Sequence, residues 1–131
     1  MSSKLRFCGS SCVLDVWNEG RREKAKVYDQ LLEGAAVQIP GRDPQALPIY
    51  HLYVLRTEER SALMERLKAG GVANAIYYPV PLHLQKAFRT LGYKVGDFPV
   101  AEKACEQALA IPCYPELSLE QQKEIVGLIK G

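Results

Sequence analysis

The chain has 131 residues, 47% hydrophobic and 24% charged, which is the balance of one soluble domain long enough to bury a core. A net charge of +2, with basic residues dispersed among acidic ones, leaves no electrostatic footprint for nucleic acid. No apolar run approaches the roughly 18 residues that cross a bilayer, and no apolar stretch follows Lys4 and Arg6 as in a signal peptide, so a cytoplasmic chain is expected.

The four cysteines, Cys8, Cys12, Cys105 and Cys113, contain no Cys-x-x-Cys knuckle. A zinc or disulfide reading would have to join Cys8-x-x-x-Cys12 to two residues that sit on an apolar helix face and in an apolar run. Free thiols and no metal site are expected.

In chain order, Leu14, Trp17, Ala25, Tyr28 and Leu32 fall on one helical stripe and predict a helix over 13–33. Gly34 can take the left-handed conformation past its end, while Gly20 costs it about 1 kcal/mol against alanine. Pro40 to Pro44 reads as a turn-rich loop. From Ile49 to Arg56 both alternating sets are apolar, with Tyr50, Leu52 and Val54 on one side and Tyr53 and Leu55 on the other. That pattern predicts a strand covered on both faces.

Thr57 reads as an N-cap with Glu58 and Glu59 in the first turn. Leu63, Met64 and Leu67 form the buried stripe of that helix, and Gly70-Gly71 stops it. Val72 to Tyr78 is expected as a second strand ended by Pro79 and Pro81, followed by a short helix over 84–91. Asp97 and Pro99 open another helix, with Ala101, Ala104, Cys105 and Ala108 as its packing face. Leu109 to Cys113 is the third strand. Ser118-x-x-Gln121 is a capping box that starts the last helix, buried through Ile125, Val126 and Ile129.

The expected fold is therefore α/β (α+β), a small three-stranded sheet with helices packed on it and the third strand inserted, antiparallel, between the first two.

Two blocks then carry a resemblance. One is Leu14-Asp15-x-Trp17-Asn18-x-x-Arg21-Arg22-x-x-Ala25-x-x-Tyr28. The other runs from Tyr50-His51-Leu52-Tyr53-Val54 through Tyr77-Tyr78-Pro79-Val80-Pro81-Leu82-His83 and Asp97-Phe98-Pro99-Val100-Ala101-Glu102 to Pro112-x-x-Pro115-Glu116-Leu117-Ser118. Together they resemble the small C-terminal domain of the DegT/StrS family of pyridoxal-phosphate (PLP) dependent nucleotide-sugar aminotransferases, a fold-type-I small domain. The resemblance implies a non-family segment over 1–12 and the small domain over 13–131, with a domain-linking helix over 13–34 and the sheet and helices over 48–131. The large PLP-binding domain has no counterpart in these residues. Tyr77 stands where the family often has histidine, and Ala110 where serine is common.

PLP transamination needs a lysine for the aldimine, a carboxylate on the pyridinium nitrogen and a phosphate cup; in the family these lie in the large domain. Lys68, Lys86, Lys94 and Lys103 read as solvated surface charge, so no catalytic residue and no bound cofactor are expected from this chain alone. By resemblance, Tyr77, Tyr78 and His83 form the substrate-binding wall. Prolines stiffen their loop, and hydroxyls and an imidazole suit sugar hydroxyls. The bland alternative packs Tyr78 in the core and satisfies His83 with a backbone carbonyl.

His51 reads as a strand histidine, Trp17 as a packing anchor, Glu102 as a structure-holding carboxylate, and Arg21, Arg22 and Arg60 as a solvated face. The favoured expectation is a stand-alone or truncated small domain, silent by itself and self-associating through an uncovered apolar face. One alternative is half of a split aminotransferase completed by a separate large-domain chain. Another is a repurposed module binding a nucleotide-sugar or a protein.

Overall fold

The computed structural model describes residues 10–39 and 41–131, with side chains from residue 13 onward. Helix α1 (Ser10–Leu31) leads into β1 (Tyr53–Arg56) and α2 (Arg60–Ala69). Two short 3-10 turns, Leu82–Leu84 and Lys86–Leu91, precede α3 (Pro99–Gln107), β2 (Ala108–Ile111) and α4 (Leu119–Lys130).

The sheet is antiparallel, with Tyr53 opposite Ile111 and Leu55 opposite Leu109. Its far edges carry single bridges, Gln38 to Arg56 on β1 and Ala75 to Ala110 on β2. Strand β2 therefore lies between β1 and the 72–78 segment, the expected order. That segment is no strand, however. Its pairing is confined to Ala75, whose N–H and carbonyl exchange bonds with Ala110 at 3.2 and 2.8 Å. Next to it the Asn74 amide donates to the Val72 carbonyl at 3.2 Å, a local bond that competes with an extended ladder.

The first strand is also shorter than its apolar run. Tyr50 has φ +48°, outside the extended region, and the Arg21 guanidinium donates to the carbonyls of Tyr50 and His51. With those acceptors engaged, pairing starts at Tyr53. His51 is exposed in a bend instead of lying in a strand.

One core joins the sheet to three helices. Ala25 and Tyr28 of α1 and Leu32 just past its end meet Tyr53 and Leu55, Leu63 and Leu67 of α2, Leu109 and Ile111, and Ile125, Val126 and Ile129 of α4. Each large apolar side chain here is worth roughly 1.5–3 kcal/mol of burial. Gln122 is buried too, and its amide donates to the Lys24 carbonyl at 2.9 Å, tying α4 to α1. Gly20, a poor helix residue, is where α1 meets Pro115, 3.0 Å from a would-be Cβ.

The second apolar set of the first strand, Tyr50, Leu52 and Val54, is only half-buried. It lines a cleft of about 520 Å³ under the 41–48 loop, so one face is covered and the other is partly open. Arg42 spans this region, bonded to Asp29 at 2.6 Å with its guanidinium 4.7 Å from the centre of the Tyr50 ring. The first half of α1 lies outside the core, with Val13, Leu14, Val16 and Trp17 exposed. The stripe that predicted α1 is thus buried only from Ala25 onward. Helix α3 is similarly open: Ala101 is exposed, and Ala104 and Cys105 are half-buried instead of closely packed.

Helix ends follow the sequence where caps are local. Ser118 Oγ accepts from the Gln121 N–H, and Gln121 Oε1 accepts from the Ser118 N–H, closing the capping box. Gly34 takes φ +74° beyond α1. Thr57 instead closes a turn by accepting from the Glu59 N–H, which leaves Glu58 and Glu59 ahead of α2.

Candidate functional site

The segment from Tyr77 to Glu102 leaves the sheet at the Ala75 bridge and returns into α3. Tyr77 and Tyr78, joined by a cis peptide, are 51% and 70% exposed, so neither ring belongs to the core. The two rings meet edge to face at 6.1 Å. Tyr77 borders a cleft with Leu52, Asn74, Ala110 and Pro112. The prolines at 79 and 81 cannot donate backbone bonds and hold φ near −65°, which carries the chain to the first 3-10 turn with little freedom.

His83 sits in that turn with its side chain only 8% exposed. Its Nε2 lies 3.0 Å from Glu102 Oε1, and its ring packs on Phe98 at 4.8 Å. The partner is thus a carboxylate instead of the backbone carbonyl of the bland alternative. Glu102 reaches back across the start of α3 to accept from the Gly96 N–H at 2.8 Å and the Phe98 N–H at 3.4 Å. These bonds, with Gly96 contributing most, hold its carboxyl below the usual carboxylate range against partial desolvation. Glu102 is a structure-holding carboxylate, as expected. Asp97, expected to open the helix, accepts from the Lys94 N–H at 2.7 Å and closes the preceding turn.

The 82–101 segment also walls an almost wholly apolar cavity of about 320 Å³ formed by Leu82, His83, Phe88, Leu91, Tyr93, Phe98 and Ala101. Sequence reasoning placed Tyr77, Tyr78 and His83 in one loop but missed the His83–Glu102 pair. Its signal was the position of Glu102 in the first turn of α3, within reach of the N–H groups preceding that helix.

The remaining candidates resolve simply. Trp17 is 51% exposed and anchors nothing in this core. Arg21 donates to the Cys113 carbonyl at 2.7 Å, Arg22 to the Pro48 carbonyl at 3.2 Å, and Arg60 to the Cys105 carbonyl, so none is merely solvated. Cys105 is a half-buried free thiol and Cys113 a buried one, with burial pushing the Cys113 thiol up. Cys8 and the side chain of Cys12 lie outside the described residues. Among the described residues, no three histidine, cysteine or acidic side chains are grouped to hold a metal ion, and no helix is long and apolar enough to cross a membrane.

Residues 12–130, nearly the whole chain, match the DegT/DnrJ/EryC1/StrS aminotransferase family. The chain belongs to that family. It is 45% identical over 119 residues to the pleiotropic regulatory protein of Geobacillus stearothermophilus, covering 88% of this chain and 32% of the relative. It is 36% identical over 117 residues to a UDP-N-acetyl-3-dehydro-alpha-D-glucosamine 3-aminotransferase of Acidithiobacillus ferrooxidans, covering 89% and 31%. Among solved structures, Streptomyces venezuelae DesV in complex with ketimine intermediate superposes with a TM-score of 0.85 at 32% identity, over 91% of this chain and 32% of that one. A DegT/DnrJ/EryC1/StrS aminotransferase from Brucella abortus gives a TM-score of 0.82, also at 32% identity, over 92% and 32%.

The chain therefore spans about a third of the length of the DegT/StrS relatives it matches. Lys68, Lys86, Lys94 and Lys103 are all exposed.

Proposed function

We propose that residues 13–131 act as the small domain of a PLP-dependent nucleotide-sugar aminotransferase, with Tyr77, Tyr78 and His83 forming part of the wall that receives the sugar. The observation that carries this reading is the exposure of both tyrosines on a proline-stiffened loop, within a fold that superposes on sugar aminotransferases. An aromatic pair held off the core has no packing role to explain it, while ring faces and hydroxyls suit a sugar.

In this reading the 131 residues alone bind no PLP and catalyse no transamination. The exposure of Lys68, Lys86, Lys94 and Lys103 supports that. PLP supplies the amine-carrying chemistry when a large domain holds it. The exposed residues Val13, Leu14, Val16 and Trp17 favour a large-domain partner lying against the first half of α1.

The test mixes this chain with the large domain of a sugar-aminotransferase relative, loaded with PLP. Complex formation and amino-sugar production that neither component gives alone are expected. Absence of a complex, or a Tyr77→Ala/Tyr78→Ala variant that completes the enzyme fully, would rule the reading out. PLP bound by the 131 residues alone, trapped by borohydride on one lysine, would equally contradict it.

A further inference from the structure

One carboxylate gathers three donors from two stretches of the chain: the His83 imidazole, and the Gly96 and Phe98 N–H groups just ahead of α3. Its own residue is on α3, which runs directly into β2. On the other side, His83 ends the stiff run that starts at Tyr77 and Tyr78. We infer that Glu102 is a positioning residue for the Tyr77–His83 wall: it fixes the His83 ring as an Nε2–H donor and fastens the distal end of the loop to α3. This deepens the proposed function and rests on it for the meaning of the wall, though not for the existence of the clamp.

The geometry constrains the tautomer. An ionised carboxylate can only accept, and the bonds from Gly96 and Phe98 keep Glu102 ionised. Neutral His83 must then carry its proton on Nε2, which leaves Nδ1 as an acceptor. The tilted stack on Phe98, itself packed edge to face on Tyr93 at 5.0 Å, restricts rotation of the imidazole. A ring held at Nε2 by a carboxylate and packed at a tilt against a phenyl has one orientation. The proximal end of the loop is held independently by the Ala75–Ala110 bridge. The wall is thus pinned at both ends, and only the distal pin depends on a side-chain pair.

Nitrogen-15 correlation spectra of the full 131-residue chain at about pH 8.5, well above the ordinary imidazole pKa of about 6.5, read the tautomer directly. His83 should show the Nε2–H form alone. In Glu102→Gln the single tautomer should be lost to a mixture, and amide shifts should extend from Gly96 and Phe98 to the 77–82 loop. His83→Gln, whose amide can still donate to Glu102, should keep the loop amides near wild type, while His83→Ala moves them.

A wild-type ring in the Nδ1–H form or a mixture overturns the inference. So do shifts in Glu102→Gln confined to residues 94–99, and so does equal displacement by His83→Gln and His83→Ala. None of these readouts needs sugar, PLP or a large domain. A clamp that stands while the reconstituted enzyme stays inactive therefore indicts the functional reading alone.

Discussion

Arg21 ties two other chain segments to α1 through one guanidinium. It donates to the Cys113 carbonyl at 2.7 Å and, at longer range, to the His51 and Tyr50 carbonyls at 3.4 and 3.5 Å. These acceptors flank the paired part of the sheet, and α1 supplies the donor. Hydrogen bonds to a charged donor are worth roughly 1.5–3 kcal/mol, so Arg21→Ala should lower the urea midpoint by about that free energy with the m-value unchanged. Arg21→Lys should recover only part of it, because all three bonds leave from Nη1 and a lysine side chain ends one atom short of that position. A midpoint unmoved by Arg21→Ala would place the stability of this junction elsewhere. Two buried phenols make a second residue-scale prediction. Tyr53 donates to Asp29 at 2.7 Å and Tyr28 to the Pro112 carbonyl at 3.0 Å. Burial is the leading cause that raises both phenols well above their ordinary range. The folded chain then keeps protons that the unfolded chain releases above about pH 10. Their contribution is complete below that pH and declines as pH rises through it toward the folded values. Tyr53→Phe removes one of these protons, so its urea midpoint should fall less steeply than wild type between about pH 9 and 11. Parallel slopes would show that Tyr53 ionises equally in both states.

At the scale of elements, the signals that proved legible were those whose energetics are local. The capping box at Ser118 and Gln121 closes through bonds three residues apart, and no tertiary neighbour has to be known to read it. Ser118→Ala should therefore cost about 1 kcal/mol, seen in thermal or urea unfolding, with Ser118→Thr largely preserving stability. Equal stability in Ser118→Ala would mean that water or a neighbour satisfies the Gln121 N–H. Strand lengths, by contrast, were not legible, since a strand exists only as far as its partner accompanies it. The apolar run from Ile49 looked extended throughout, yet Arg21 on a distant helix takes the carbonyls at 50 and 51 and pairing waits until Tyr53. The run from Val72 failed for a similar reason: beyond Ala75 nothing continues the ladder with β2. The candidate site divides along the same line. Tyr77, Tyr78 and His83 could be grouped because prolines make their loop visible in sequence, whereas the acid that holds His83 lies 19 residues on and is brought there by the return of the chain into α3.

For the whole molecule, the decisive feature is where apolar side chains are left over. The helical stripe of α1 begins before the core does, so Val16 and Trp17 remain 70% and 51% exposed while Ala25 and Tyr28 are fully buried on the same helix. Scattered exposed hydrophobics are ordinary, but a cluster on one helix end marks a surface that pairs with something. In the 131-residue chain studied alone, the available partner is a second copy, and self-association is predicted. Burying such side chains is worth roughly 1.5–3 kcal/mol each, and each 1.4 kcal/mol is tenfold in affinity. The Val16→Ser/Trp17→Ser double variant should consequently raise the dissociation constant at least about tenfold in sedimentation equilibrium. Its unfolding midpoint at concentrations where both proteins are monomeric should match wild type, because neither side chain contributes to the core. A wild-type chain that stays monomeric at every concentration would show that the exposed end of α1 is too small or too well solvated to drive association. A double variant that associates as wild type does would move the contact to the 91–100 segment, where Leu91, Val95 and Val100 are also exposed.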